Sequence, residues 1–204
     1  MSLKDIMKQG RKKNKSTPKK ESPVKVLDPY APAIAAKEMV RGETGLVYDE
    51  FMAKHANPWD SEHIECPDRL LKPYERCQEL GLIEKCLRIP SRKATLEEIL
   101  FCHNQAYIDQ VVGVSSKFET PQELKEFCEK VYHSVYINEF SAECAKMAAG
   151  SAIELTKAIL DGQVQNGIAL LRPPGHHAQR NVGNGFCLFN NVAIAGKNSK
   201  YSKS

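Results

Sequence analysis

A chain of 204 residues, 42% hydrophobic and 26% charged, has the length to bury one ordinary core and the balance of a soluble globular domain. No run of about 18 apolar residues is present, and the opening MSLKDIMKQGRKKNKS has no apolar stretch, which argues against a transmembrane helix and a secreted protein and for an intracellular one. The formal charge of +4 divides unevenly: residues 1–25 carry +7, and everything after them carries −3, so no nucleic-acid-binding face is expected on the folded part.

Residues 1–42 are expected to be a disordered basic tail, because Pro18, Pro23, Pro29 and Pro32 interrupt any long helix and apolar periodicity is weak. Their RKKNKSTPKK cluster suits an import receptor or plain solvation equally. Order is predicted to begin near Gly45, where GLVYD reads as a short buried strand. The following FMAKHANPWDSEHIECPDRL is polar and irregular, a long loop carrying His55, Trp59 and His63; such loops usually serve a site. Pro67 opens a helix with Leu70, Tyr74 and Cys77 at helical spacing, and Gly81 stops it. CLRI at 86–89 reads as a strand. Thr95 with Glu98, and Thr120 with Glu123, are capping boxes that each start a helix. Residues 141–160 form a long predicted helix in which Ala145, Ala148, Ala149, Gly150 and Ala152 admit a close neighbour. GIALLR at 167–172 reads as a buried parallel strand. The seven cysteines lack any C-x-x-C pair and are read mostly as small buried hydrophobes.

That last strand leads into PPGHHA, a Gly/Asn-rich loop and NGFCLFNNVAIA. Strand, loop, helix is the order found in doubly wound α/β sheets, where ligands sit beyond the carboxyl ends of strands. His176 and His177 are the candidate catalytic residues. Two adjacent imidazoles can hold a metal or exchange protons near neutral pH; they can also be two surface histidines with no such role. Pro173 and Pro174 stiffen the chain before them, Gly175 permits close backbone approach, and NVGNG delivers Gly185 and Phe186 back to the same strand end.

RPPGHHA (172–178), followed at a short interval by GFCLFNNVAIA (185–195), resembles the signature of the class II histone deacetylase family. The likeness runs through TGLVYD, WDSEHIECPDRL and SRKATLEEILFCHNQAYI, covers roughly residues 44–196, and is most similar to the tandem-domain, tubulin-directed members. It implies an α/β three-layer sandwich with a mainly parallel central sheet, of the arginase/deacetylase kind. Residues 43–196 would supply its first strands and helices, and 197–204 a polar tail. The implied activity is zinc-dependent hydrolysis of the acetyl-lysine amide in proteins such as histone tails and tubulin, in cytoplasm and nucleus, with neither nucleic acid nor membrane as partner. By resemblance His177 is the general base for the zinc-bound water and His176 supports it. Phe186, with Gly185, forms a wall of the channel gripping the acyl-lysine stem. Ser134 matches a rim serine that bonds the substrate backbone, or is an ordinary loop serine. His63 and Trp59 match the loop at the channel mouth, where Trp59 is equally readable as a core plug.

Three departures stand out. His133 precedes Ser134 where the family often has Asp, and Ile64 lies between His63 and Glu65 where the family commonly has Pro. The family's zinc ligands, an Asp-x-His motif and a distant second Asp, are followed by a catalytic Tyr; no Asp-x-His triplet occurs in this sequence. The expectation is therefore no metal ligands and no activity from these residues alone. A truncated, non-catalytic form acting through partners and an acetylpolyamine amidohydrolase relative remain as alternatives.

Overall fold

The computed structural model describes residues 43–201, the side chains of Lys200 and Tyr201 excepted; the basic segment 1–42 and its expected disorder lie outside the described residues. Three strands, β1 (Thr44–Val47), β2 (Cys86–Arg88) and β3 (Asn166–Ala169), pair in parallel in the order β2–β1–β3. Their register sets Gly45 beside Gly167. A Cβ on Gly45 would lie 2.9 Å from Leu155 Cδ1, and one on Gly167 only 2.4 Å from it. The two glycines thus make a slot into which Leu155 of the long helix drops. Val47, Ile89, Leu155, Ala158 and Val164 form the small core beneath the sheet.

Among the described residues six α-helices follow in chain order: α1 (Asp68–Glu79), α2 (Leu96–Leu100), α3 (Gln105–Gly113), α4 (Pro121–Val131), α5 (Ser141–Leu160) and α6 (Asn191–Tyr201). Both capping boxes form, with the Thr95 and Thr120 hydroxyls accepting from the Glu98 and Glu123 amides at 3.3 Å. Gly81, at φ +62°, closes α1: its amide bonds the Gln78 carbonyl and the Leu82 amide the Cys77 carbonyl, the paired bonds of a Schellman turn. The small-residue face of α5 does admit a neighbour, since the Ala94 amide donates to the Lys146 carbonyl at 2.8 Å. A larger core, including Ile99, Val111, Ile137, Leu188, Phe189 and Ile194, joins the helices to the segment before α6.

The structure departs from the sequence expectations at four places. A 3₁₀ turn at Glu50–Lys54 interrupts the expected loop and buries Met52. β3 is less buried than its apolar run suggests, with Ile168 52% exposed, because it is the sheet edge among the described residues and α5 covers only the face bearing Gly167. Only Cys128, Cys144 and Cys187 are buried; the other four cysteines are half-buried, Cys77 because α1 lies on the surface with Leu70 as its one buried residue. Finally, α6 runs into the stretch expected as a polar tail. Asn198 Nδ2 donates to the Ile194 carbonyl at 2.8 Å and to the Glu98 carbonyl at 3.4 Å, so this stretch packs against α2.

Candidate active site

Beyond β3 the chain meets Arg172, whose guanidinium is buried. An ion this deep must be paired, and Arg172 Nε bonds Glu65 Oε1 at 2.8 Å while Nη2 reaches the His55 carbonyl at 2.8 Å and the Tyr136 hydroxyl at 3.0 Å. Glu65 is fully buried and also pairs with Arg69. The Tyr136 hydroxyl donates to the Glu65 carbonyl at 2.7 Å, and burial pushes its phenol pKa up. His55 stacks on Tyr136 and shares a 2.7 Å hydrogen bond with Ser141; burial first, then the Arg172 charge, holds its pKa well below the usual histidine value. This knot fixes the root of the loop that follows.

The loop itself turns tightly. The Ala178 amide donates to the Gly175 carbonyl, and a Cβ on Gly175 would lie 2.4 Å from the Phe189 carbonyl oxygen, so this turn packs directly on backbone. His176 and His177 stand exposed on it with ring centroids 4.2 Å apart. The His177 amide donates to Cys187 Sγ at 3.4 Å, and burial pushes that thiol up. Gly185, at φ +51°, lies against the His177 ring, where an added Cβ would come within 3.0 Å of Cδ2.

Two loops then clasp each other beside the histidines. The Gly185 amide donates to the His133 carbonyl at 2.9 Å and the Phe186 amide to the Ser134 carbonyl at 2.8 Å. Ser134 and Phe186 both adopt positive φ, +53° and +69°, a backbone state that non-glycine residues adopt at a cost of about 1–3 kcal/mol and that concentrates at functional sites. His63 sets its ring edge-on to both Phe186 and Tyr136, at centroid distances of 5.4 and 5.1 Å. His176, His177, Gly185, Phe186, Ser134 and His63 thus lie along one connected surface. Trp59 is half-buried against the main core and also borders the cleft beside Ser134. Ile64, the departure in the His63–Glu65 stretch, points outward at 75% exposure and leaves the contacts of its neighbours intact.

The anchor of Arg172, Glu65 and Tyr136 escaped the sequence reading of the site. A signal was available: an arginine ending a five-residue apolar run needs a buried acidic partner.

A model of the histone deacetylase domain matches residues 63–203. The chain belongs to the histone deacetylase family. It is 41% identical over 158 residues to the polyamine deacetylase HDAC10 of Danio rerio, covering 74% of this chain and 22% of that protein. It is 40% identical over 163 residues to the histone deacetylase clr3 of Schizosaccharomyces pombe, covering 76% of this chain and 23% of that one. The crystal structure of the HDA15 HD domain superposes with a TM-score of 0.69 at 34% identity, covering 79% of this chain and 44% of that chain. The chain therefore spans under a quarter of these two full-length relatives, and both its parallel α/β fold and its family agree with the expectation from RPPGHHA and GFC.

The family is generally one of zinc enzymes, and the described residues do not by themselves fit the ion. Among the described residues no three His, Cys, Asp or Glu side chains are grouped to hold a metal. The dyad supplies two imidazoles, whereas a catalytic zinc takes about three protein ligands.

Proposed function

We propose that this chain carries the proton-handling and stem-gripping part of a lysine deacetylase site, one that hydrolyses the amide of an acetylated lysine in a protein such as a histone tail or tubulin. The observation that carries this reading is the dyad on its buried anchor, with Gly185 against the His177 ring and Phe186 beside His63. His177 takes the proton of the attacking water and returns it to the leaving amine, and His176 holds the partner imidazole in place. Phe186 and His63 flank the lysine stem, and Ser134 bonds the substrate backbone at the rim. The dyad alone would not hold a zinc ion, and zinc held by further ligands would supply the carbonyl polarisation. The likeness to polyamine deacetylases supports an acetylated polyamine as a second substrate class on the same chemistry. Cytoplasm and nucleus are the proposed locations, the basic tail being the candidate address.

The test has two arms. The 204-residue chain, purified alone, should hold no stoichiometric zinc by elemental analysis and should not deacetylate an acetyl-lysine peptide; inhibitor-sensitive turnover with bound zinc would overturn the division of labour. In a longer chain that continues into an Asp-x-His motif, His177→Ala should lower kcat by about 10²–10⁴-fold, the usual span of general-base catalysis, with zinc retained. Loss of zinc with activity would put His177 among the metal ligands.

A further inference from the structure

Beside the clasped loops the surface opens into a cleft of about 410 Å³, within the range of roughly 300–1,000 Å³ typical of ligand pockets. Asn57, Trp59, Asp60 and His63 line it from the loop before α1, Lys125 and Glu129 from α4, and Ser134 from the rim. Ser134 and His63 join the cleft to the clasped loops, since both touch Phe186. On the deacetylase reading a lysine stem held at Phe186 would leave its main chain at Ser134, and the adjoining residues of an extended peptide would run on into the cleft. Its charges are unbalanced. Asp60 is exposed, with one carboxylate oxygen accepting the Glu62 amide at 3.1 Å, and the Glu129 side chain is 64% exposed with Lys125 3.9 Å away. Two carboxylates thus face one ammonium.

We infer that this cleft receives the residues flanking the acetylated lysine of a protein substrate, and that Asp60 and Glu129 select flanks carrying arginine or lysine. The inference rests on the deacetylase reading for the position of the acetyl-lysine but not for any chemical step. Trp59 is the only tryptophan of the chain and lines the cleft, so its fluorescence reports occupancy of the cleft alone.

The experiment titrates the 204-residue chain with acetyl-lysine peptides flanked by arginines or by glutamates, following Trp59 emission at low and high salt. The arginine peptide should bind roughly two- to fivefold more tightly, the scale of exposed charge pairs, and the preference should fade with salt. Asp60→Asn, which keeps the acceptor for the Glu62 amide, and Glu129→Gln should each reduce the preference, and Lys125→Gln should raise it. No emission change with either peptide, equal affinities, or a preference untouched by Asp60→Asn with Glu129→Gln would overturn the inference. Emission changes of equal size and affinity from an acetylated polyamine would also overturn it, placing a small cation in the cleft in place of a peptide. If the unmodified arginine peptide binds as well as the acetylated one, the cleft assignment stands while the acyl-lysine channel reading falls.

Discussion

Arg172 and Glu65 show how much a single pair can carry. Their side chains are 3% and 0% exposed, and the guanidinium spans from the end of β3 to the His55 and Tyr136 segments. Removing one partner strands a buried charge, which costs about 3–5 kcal/mol, whereas replacing both by apolar groups is often close to neutral. Glu65→Ala should therefore destabilise the chain by that amount in urea unfolding, and the same substitution in an Arg172→Met background should cost far less. Equal costs in both backgrounds would mean that Glu65 acts through packing or through Arg69 and not through Arg172. The pair also ties down the root of the histidine turn, which cannot leave Glu65 without stranding the buried guanidinium.

At the level of elements, the sheet and α5 meet through the slot between Gly45 and Gly167. An added methyl on Gly167 would lie 2.4 Å from Leu155 Cδ1 and 3.0 Å from Cδ2, closer than packed carbons tolerate. Overpacking of this kind costs about 1–3 kcal/mol. Gly167→Ala should lower stability by that amount, measured by thermal or urea unfolding. In a Leu155→Ala background, where the offending carbons are gone, the added methyl should cost little or even fill space. The same penalty in both backgrounds would show that strand conformation, and not the slot, sets the requirement for glycine.

Across the whole molecule, two interior histidines link stability to acidity. Burial is the main cause lowering both His55 and His103, with the Arg172 charge adding to it at His55 and carbonyl contacts at Arg180 and Gln179 opposing it at His103. Each group's folded pKa lies below its unfolded value of about 6.5. In this window the unfolded chain binds protons that the folded chain refuses, so stability is full above about pH 6.5 and falls as the pH drops towards the folded values. The unfolding free energy from urea titrations should decline between pH 7.5 and 5.5, by up to about 1.4 kcal/mol per pH unit for each histidine. His103→Gln should flatten the decline by removing one contribution. A free energy indifferent to pH would mean that both imidazoles bind protons in the fold as they do in the unfolded chain.

Local chemistry and spacing determined much of this chain from its sequence. The two Thr–Glu capping boxes, the glycine stop after α1 and the bounds of α5 are short-range matters, decided within a few residues of each position. RPPGHHA and GFC likewise located the histidine turn and the Gly185–Phe186 loop packed against it, because stiff prolines and permissive glycines write backbone shape directly into sequence. What only the tertiary structure decided is long-range. The partner of Arg172 lies 107 residues away at Glu65, and Leu155 finds its slot because pairing puts Gly45 beside Gly167. Ile168 is exposed although its run is apolar, since exposure depends on which elements cover a strand and not on the strand itself. Asn198 packs against α2 although its segment is polar, since amide hydrogen bonds, which no hydropathy pattern registers, seat it. Burial and pairing are properties of the assembled chain, and periodicity supplies candidates for them without naming the partner.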